Sequence, residues 1–261
     1  MTKRAALCVL TAMVVSTLLA QNPFLPLWEH VPDAEPYVFE DPDNPGHMRV
    51  YIYGSHDVLG NAYCGRDQVV WSAPVEDLTN WRCEGVSFTS VYDRDGNLLN
   101  ADGSGDILFA PDVAMRMEDG HPVYYLYPNT QAEGRYNMVA RSNRPAGPFT
   151  VCNWSPDDPK RVVGILGFDP AVFVDDDGRA YAYWGFDETY CAELDPATMS
   201  TLKEGTTIHH AYIPSRREKG DFRFYEASSM RKIEDKYVFI YSRWTAPGEF
   251  GLEDNNYTLA Y

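Results

Sequence analysis

Positive charge is scarce in this chain of 261 residues: 22 Lys and Arg stand against 38 Asp and Glu, for a formal net charge of −16. No basic block offsets the imbalance, so the surface repels nucleic acid and anionic membranes, and a neutral or cationic partner is expected. Cysteine is sparse, with five residues and no C-x-x-C pair, which argues against a zinc site. Cys64, Cys83, Cys152 and Cys191 would admit three disulfide pairings in an exported chain, and nothing selects one of them. Gly-rich phosphate loops and a G-x-S-x-G elbow are both missing, so neither nucleotide-phosphate chemistry nor a serine-hydrolase arrangement is indicated. Long amphipathic helical patterns are missing too. The one long apolar run, Ala5–Ala20, follows Lys3 and Arg4 and reads as a signal peptide over residues 1–20. It is too short for a comfortable membrane span. The mature domain is expected over residues 21–261, secreted or periplasmic.

Short strands fill the rest. Val50–Tyr53, Val123–Tyr127, Ala180–Trp184 and Tyr237–Tyr241 alternate or run apolar between Asp, Gly and Pro turn signals. Each belongs to a longer unit that opens on an acid: EPYVFEDPDNPGHMRVYIYG from Glu35, DVAMRMEDGHPVYYLY from Asp112, DPAVFVDDDGRAYAYWG from Asp169 and EASSMRKIEDKYVFIYS from Glu226. The last three acids are spaced 57 residues apart, whereas Glu35 and Asp112 are separated by 77, the excess lying in a polar stretch around Asp93–Asp106. A second marker recurs after the aromatic strands, as in RSNRPAGPF at 141–149. Multi-strand units repeating at this length read as propeller blades. In a propeller the innermost strands face one axis, so acids recurring at their starts predict a ring of carboxylates around one pocket. The expected class is therefore all-β.

These segments resemble glycoside hydrolase family 43, the five-bladed propellers that include β-xylosidases, α-L-arabinofuranosidases and arabinanases. FAPDVAMRMEDGHPVYYLY (109–127) is similar to the family's W-A-P-D segment, with Phe109 for Trp; FDPAVFVDDDGRAYAYWG (168–185) matches its third-blade motif; YEASSMRKIEDKYVFIYS (225–242) matches the segment with its general acid. The resemblance implies an inverting glycosidase acting on arabinofuranosyl, xylosyl or galactosyl linkages of plant-type oligo- or polysaccharides. Glu226 would be the general acid and Asp169 the carboxylate that orients it and adjusts its pKa. The family's A-D-P base motif reads Ala34-Glu35-Pro36, which puts Glu35 at the base position; Asp33, two residues earlier and expected on the same strand face, is the alternative. Asp33, His56, Phe109, Asp112 and Trp184 are candidate substrate contacts, with Trp71 a further aromatic. No cofactor is required by this chemistry, although the family implies a structural calcium at the propeller centre whose ligands are not identifiable in this chain. Asp175-Asp176-Asp177-Gly178 lacks the alternating pattern of a calcium loop and reads as a hairpin turn. A monomer is expected. Continuing the 57-residue spacing puts the next inner strand near position 283, so about four of five blades are expected within the chain. The competing reading is a non-catalytic glycan-binding propeller, which would have no need of a tuned acid.

Overall fold

The computed structural model describes residues 24–57, 63–218, 220–251 and 256–261; the signal-peptide expectation lies outside them. Among the described residues the fold is all-β apart from a single 3₁₀ turn at Glu249–Gly251, and its strands form four antiparallel sheets. Sheet one comprises β1 (Glu35–Glu40), β2 (Met48–Tyr53), β3 (Asp67–Pro74) and β4 (Arg82–Thr89). Sheet two comprises β5 (Asp112–Glu118), β6 (His121–Tyr127), β7 (Ala140–Ser142) and β8 (Thr150–Val151). Sheet three comprises β9 (Ala171–Val174), β10 (Ala180–Trp184), β11 (Tyr190–Leu194) and β12 (His209–His210). Sheet four comprises β13 (Phe224–Ile233), β14 (Lys236–Trp244) and β15 (Tyr257–Ala260). In each sheet the spatial order follows the chain order. The first strands are the inner ones: β5 packs on β9, and β9 on β13. This is the propeller plan that the repeat predicts.

The alternation of β5 and β6 explains why the blades stack. Val113, Tyr124 and Leu126 feed an apolar cluster shared with Phe39, Tyr53 and Val70 of sheet one. Their neighbours Ala114, Val123, Tyr125 and Tyr127 enter a second cluster with Val172, Ala182 and Leu194 of sheet three. Successive side chains point to opposite faces, so a sheet buried on both sides needs apolar residues at both parities. Trp184 belongs to the second cluster, 6% exposed and stacked on Tyr190. A Cβ on Gly167 would sit 2.5 Å from its Cδ1 atom. Trp184 is thus a core residue and not the sugar contact expected of it.

The Asp175–Gly178 segment is a hairpin turn closed by the Gly178 N–H to Asp175 carbonyl bond of 2.9 Å. Its carboxylates clamp sheet four: Lys232 Nζ reaches Asp175 at 2.9 Å and Asp176 at 2.7 Å, and Tyr237 donates to Asp175 at 2.5 Å. Cys64, Cys83, Cys152 and Cys191 are free thiols.

Candidate active site

Three acidic side chains from three blades converge on one cavity of about 960 Å³: Asp33 from the segment entering sheet one, Asp169 from the segment entering sheet three, and Glu226 from β13. Glu35 also borders it, as do Tyr63, Cys64, Phe109, Gln131, Phe168, Phe186, Tyr225 and Leu259. Three of the backbones that aim these acids are left-handed. Asp33 has φ 54°, Asp169 φ 51°, and Ala227, immediately after Glu226, φ 58°. Asp visits this region more readily than Ala, for which it costs roughly 1–2 kcal/mol. Glu226 also sits between two irregularities in the β13–β14 ladder: Phe224, Glu226 and Ser229 pair with Arg243, Ser242 and Ile240. Each step carries an extra residue on β13, so the strand is bulged on both sides of the acid. Bulges re-aim side chains in this way.

No Lys or Arg forms a salt bridge with Asp33, Asp169 or Glu226 among the described residues. Asp169 is held by two donors, Asn129 Nδ2 at 2.9 Å and the Ala227 N–H at 3.3 Å. Burial pushes its carboxyl up to about 7, with the Glu226 charge adding to the rise. Burial also raises the Glu226 carboxyl, helped by the negative charges of Asp33 and Asp187. Asp33 is raised by partial burial and by Asp57, with a Ser55 hydrogen bond opposing. Carboxyls that raise one another titrate as a unit, so the site holds a proton toward neutral pH while one member stays ionised. Asp187 lies behind Glu226, pinned by Arg216 Nε at 2.6 Å and Arg217 Nη2 at 2.5 Å. The Arg216 guanidinium lies 4.9 Å from the Tyr225 ring and 4.7 Å from that of Trp244. An aromatic wall runs from Phe109 through Phe168 and Phe186 to Tyr225, each ring within 6 Å of the next.

Glu35 is arranged differently. Its carboxylate is ion-paired with Arg231 and accepts from Ser229 Oγ at 3.3 Å. The same guanidinium lies 4.2 Å from the Tyr37 ring centroid, and its Nη1 donates to the Tyr37 hydroxyl at 3.2 Å. Tyr37 in turn donates to Asp112 Oδ1 at 2.6 Å, while the Val172 N–H donates to Asp112 Oδ2 at 2.5 Å. Glu35, Tyr37, Asp112, Val172, Ser229 and Arg231 therefore form one network across all four sheets. Asp112 is 2% exposed and does not border the cavity. Its expected role as a substrate contact is replaced by one in blade packing. The expectation that Asp33 shares a strand face with Glu35 also fails, because β1 begins only at Glu35 and the chain before it turns at Asp33. His56 is held between carboxylates, with Nδ1 2.8 Å from Asp67 and Nε2 3.3 Å from Glu29, and does not border the cavity. Trp71 is spent on the same Glu29, to which its indole N–H donates at 2.8 Å.

A family profile described as "Glycosyl hydrolases family 43" matches residues 49–258. The chain belongs to this family. Within family 43 it is 38% identical over 240 residues to a "Xylosidase/arabinosidase" of Thermoclostridium stercorarium, covering 85% of this chain and 46% of that protein. It is 33% identical over 174 residues to "Xylosidase/arabinosidase 43A" of Humicola insolens, covering 52% of this chain and 50% of that one. The chain thus spans about half the length of the curated relatives it matches. Among solved structures, the GH43_1 enzyme from Xanthomonas citri complexed with xylotriose superposes with a TM-score of 0.54 at 21% identity, covering 82% of this chain and 66% of that one; that likeness concerns the fold.

For this family 43 chain, no group of three or more His, Cys, Asp or Glu side chains among the described residues is arranged to hold a metal ion. The catalytic steps proposed below run through the carboxylates of the cavity. Of the cavity wall, Phe168, Phe186, Tyr225 and Gln131 were not singled out from the sequence. Phe168 and Tyr225 adjoin Asp169 and Glu226 directly, and that adjacency was the available signal.

Proposed function

We propose that this chain hydrolyses O-glycosidic bonds of xylosyl or arabinofuranosyl units in xylan- or arabinoxylan-type glycans with inversion at the anomeric carbon. The observation that carries the reading is the convergence of Asp33, Asp169 and Glu226 from three blades on one cavity. Breaking a glycosidic bond requires a proton for the leaving oxygen and an activated water for the anomeric carbon. Glu226 is the acid: its carboxyl is raised, it borders the cavity, and the bulged strand aims it there. Asp169 is the positioning carboxylate, which accepts the Ala227 N–H beside the acid and, raised by burial and by the Glu226 charge, forms with the acid a pair that holds a proton toward neutral pH. Asp33 is the base. Of the two first-blade candidates it alone carries no salt bridge among the described residues, whereas Arg231 neutralises Glu35. A carboxylate already committed to a guanidinium is a poor acceptor for a water proton. The names of the relatives support the pentosyl specificity. The run over residues 1–20 supports export, so that the substrate is met outside the cytoplasm.

The test is hydrolysis of a panel of aryl β-D-xylosides and α-L-arabinofuranosides, with the first-formed anomer followed by NMR. Asp33→Ala and Glu35→Ala are compared with and without azide, a nucleophile that needs no deprotonation. Inversion, with azide rescue confined to Asp33→Ala, is expected. A retained anomer, rescue of Glu35→Ala instead, or a folded chain inert on every pentoside would each sink the reading.

A further inference from the structure

Asn129 is given no role in the chemistry above, yet it is one of the two groups that hold Asp169. It follows β6 at φ 50°, a backbone that Asn visits more readily than most residues. Its side chain is 3% exposed and does not border the cavity. The backbone around it is fixed on both sides. Its carbonyl accepts the Phe109 N–H at 2.7 Å, and Leu108 bridges Thr130. Gln68, itself buried, donates through Nε2 to the carbonyls of Phe109 and Pro128, each at 3.0 Å. So held, Asn129 donates from Nδ2 to Asp169 Oδ1 at 2.9 Å. Its own Oδ1 is buried without a hydrogen-bond partner among the described residues. Turning the amide over would set that oxygen against Asp169 Oδ1, an arrangement that only a protonated Asp169 accommodates.

Where the proton of the Asp169–Glu226 pair rests decides whether the pair can work. The proposed acid is Glu226, so the useful form has Glu226 protonated and Asp169 ionised. Burial favours the opposite form: Asp169 is 8% exposed, whereas Glu226 is only half-buried. The surrounding charges do not correct this. Asp169 faces Glu226 from β13, Asp33 from the segment entering sheet one, and the Cys64 thiol, itself pushed up to about 11 by burial. Glu226 faces Asp33 and Asp187, and the guanidiniums of Arg216 and Arg217 are spent on Asp187. Burial and these negative charges raise Glu226. On Asp169 the same influences are opposed by its two N–H donors, of which Asn129 is the closer, the Ala227 N–H lying 3.3 Å away. A carboxylate that accepts N–H donors is stabilised in its charged form.

We propose that Asn129 is a positioning residue for the reaction: its amide keeps Asp169 ionised and so places the shared proton on Glu226. The proposal rests on the glycosidase reading and adds to it the group that selects the working protonation form. Asn129 acts through Asp169 and touches no reacting atom.

The test is Asn129→Gly, which removes the amide and keeps the left-handed backbone without strain. Asp169 then competes for the proton, and its carboxyl, followed by carbon NMR, should titrate about one to two pH units higher. On pentosides with poor leaving groups kcat should fall about ten- to hundredfold while KM stays within about twofold, because only the share of chain carrying the proton on Glu226 has changed. The alkaline limb of the rate profile should move to higher pH, since the pair as a whole binds its proton more tightly. Asn129→Asp keeps the shape and offers a donor only while the new carboxyl is protonated. Relative to the unmodified chain at the same pH, its rate should climb as the pH falls. An Asp169 titration and a limb that Asn129→Gly leaves in place, or a relative rate of Asn129→Asp that is flat with pH, overturns the positioning role. Pentoside hydrolysis by the unmodified chain separates the two claims: an active chain whose Asp169 titration ignores Asn129 loses only this one, and a chain inert on every pentoside loses both.

Discussion

Asp112 and Asp169 look alike in the sequence and end in opposite situations. Each stands at the entrance to an inner strand, each is buried, and burial pushes each carboxyl up to about 7. Asp112 is enclosed by donors, the Tyr37 hydroxyl and the Val172 N–H, with the Arg231 charge nearby. Asp169 keeps two weaker donors but faces Glu226 across an open cavity without a paired cation. One arrangement fastens blades together. The other leaves a pair of raised carboxyls at an open cavity, where the proposed mechanism needs a proton. The position within the blade therefore does not fix what surrounds a carboxylate. What decides is whether a neighbouring blade supplies a cation or another acid.

The comparison can be broken most severely at Glu226. Glu226→Gln should lower turnover of natural glycans by roughly 10²–10⁴-fold. The loss should be smaller on aryl glycosides with good leaving groups, and the melting temperature should hardly change; equal losses on both substrate types would remove Glu226 from the acid role. At the fastened centre, Arg231→Met should do the reverse. It leaves Glu35 and Asp112 sharing a desolvated site without their cation and should cost about 3–5 kcal/mol of stability in urea unfolding. A loss under 1 kcal/mol would mean that the network does not fasten the blades.

Asp169→Asn reads the same contrast through pH. A carboxyl whose folded pKa lies above its unfolded value binds its proton more tightly in the folded state. Its contribution to stability is complete below about pH 4 and is lost as the pH rises through about 7. Unmodified chain should therefore weaken between those limits, and Asp169→Asn should remove roughly 2–4 kcal/mol of that fall, leaving the part due to Asp112. The alkaline limb of the rate profile should also move to lower pH, because the proton that the Asp169–Glu226 pair holds up to about pH 7 is then left to Glu226 alone. A limb that stays in place would make Asp169 purely structural. The smallest effect is expected of Tyr37→Phe, which deletes the donor to Asp112 at a cost of about 1–2 kcal/mol and leaves the anomeric outcome and the pH limb alone.

Much of this was legible in the residues. The alternating aromatic runs and the spacing of the acids gave the blades in order, and the two acids with the fullest flanking motifs, Asp169 and Glu226, line the cavity. The first blade was read less well. Ala34-Glu35-Pro36 sits where a base motif is expected, but the choice between Glu35 and Asp33 depends on a left-handed turn at Asp33 and on an arginine almost two hundred residues away, neither of which has a local signature. Asp112 shared the repeat position of Asp169 and was given a similar role, because pairing with Tyr37 and Val172 exists only once the blades are assembled. Trp184 and His56 were misplaced for a common reason: aromatic and imidazole rings serve a core or a carboxylate pair as readily as a sugar, and only packing distinguishes these uses.

The irregular ladder of β13 lets one strand do two jobs at once. Counting by twos from Glu226 leads to Ser228 and Met230, and in an even strand Ser229 and Arg231 would look the other way. The additional residue between Glu226 and Ser229 reverses the count, so the acid at the cavity and the arginine that grips Glu35 both address the propeller axis. Drawing the same residues out into a regular ladder would force a choice between them, with either the acid or the arginine turned away, and relatives compared by strand parity alone would be aligned one residue out of step here.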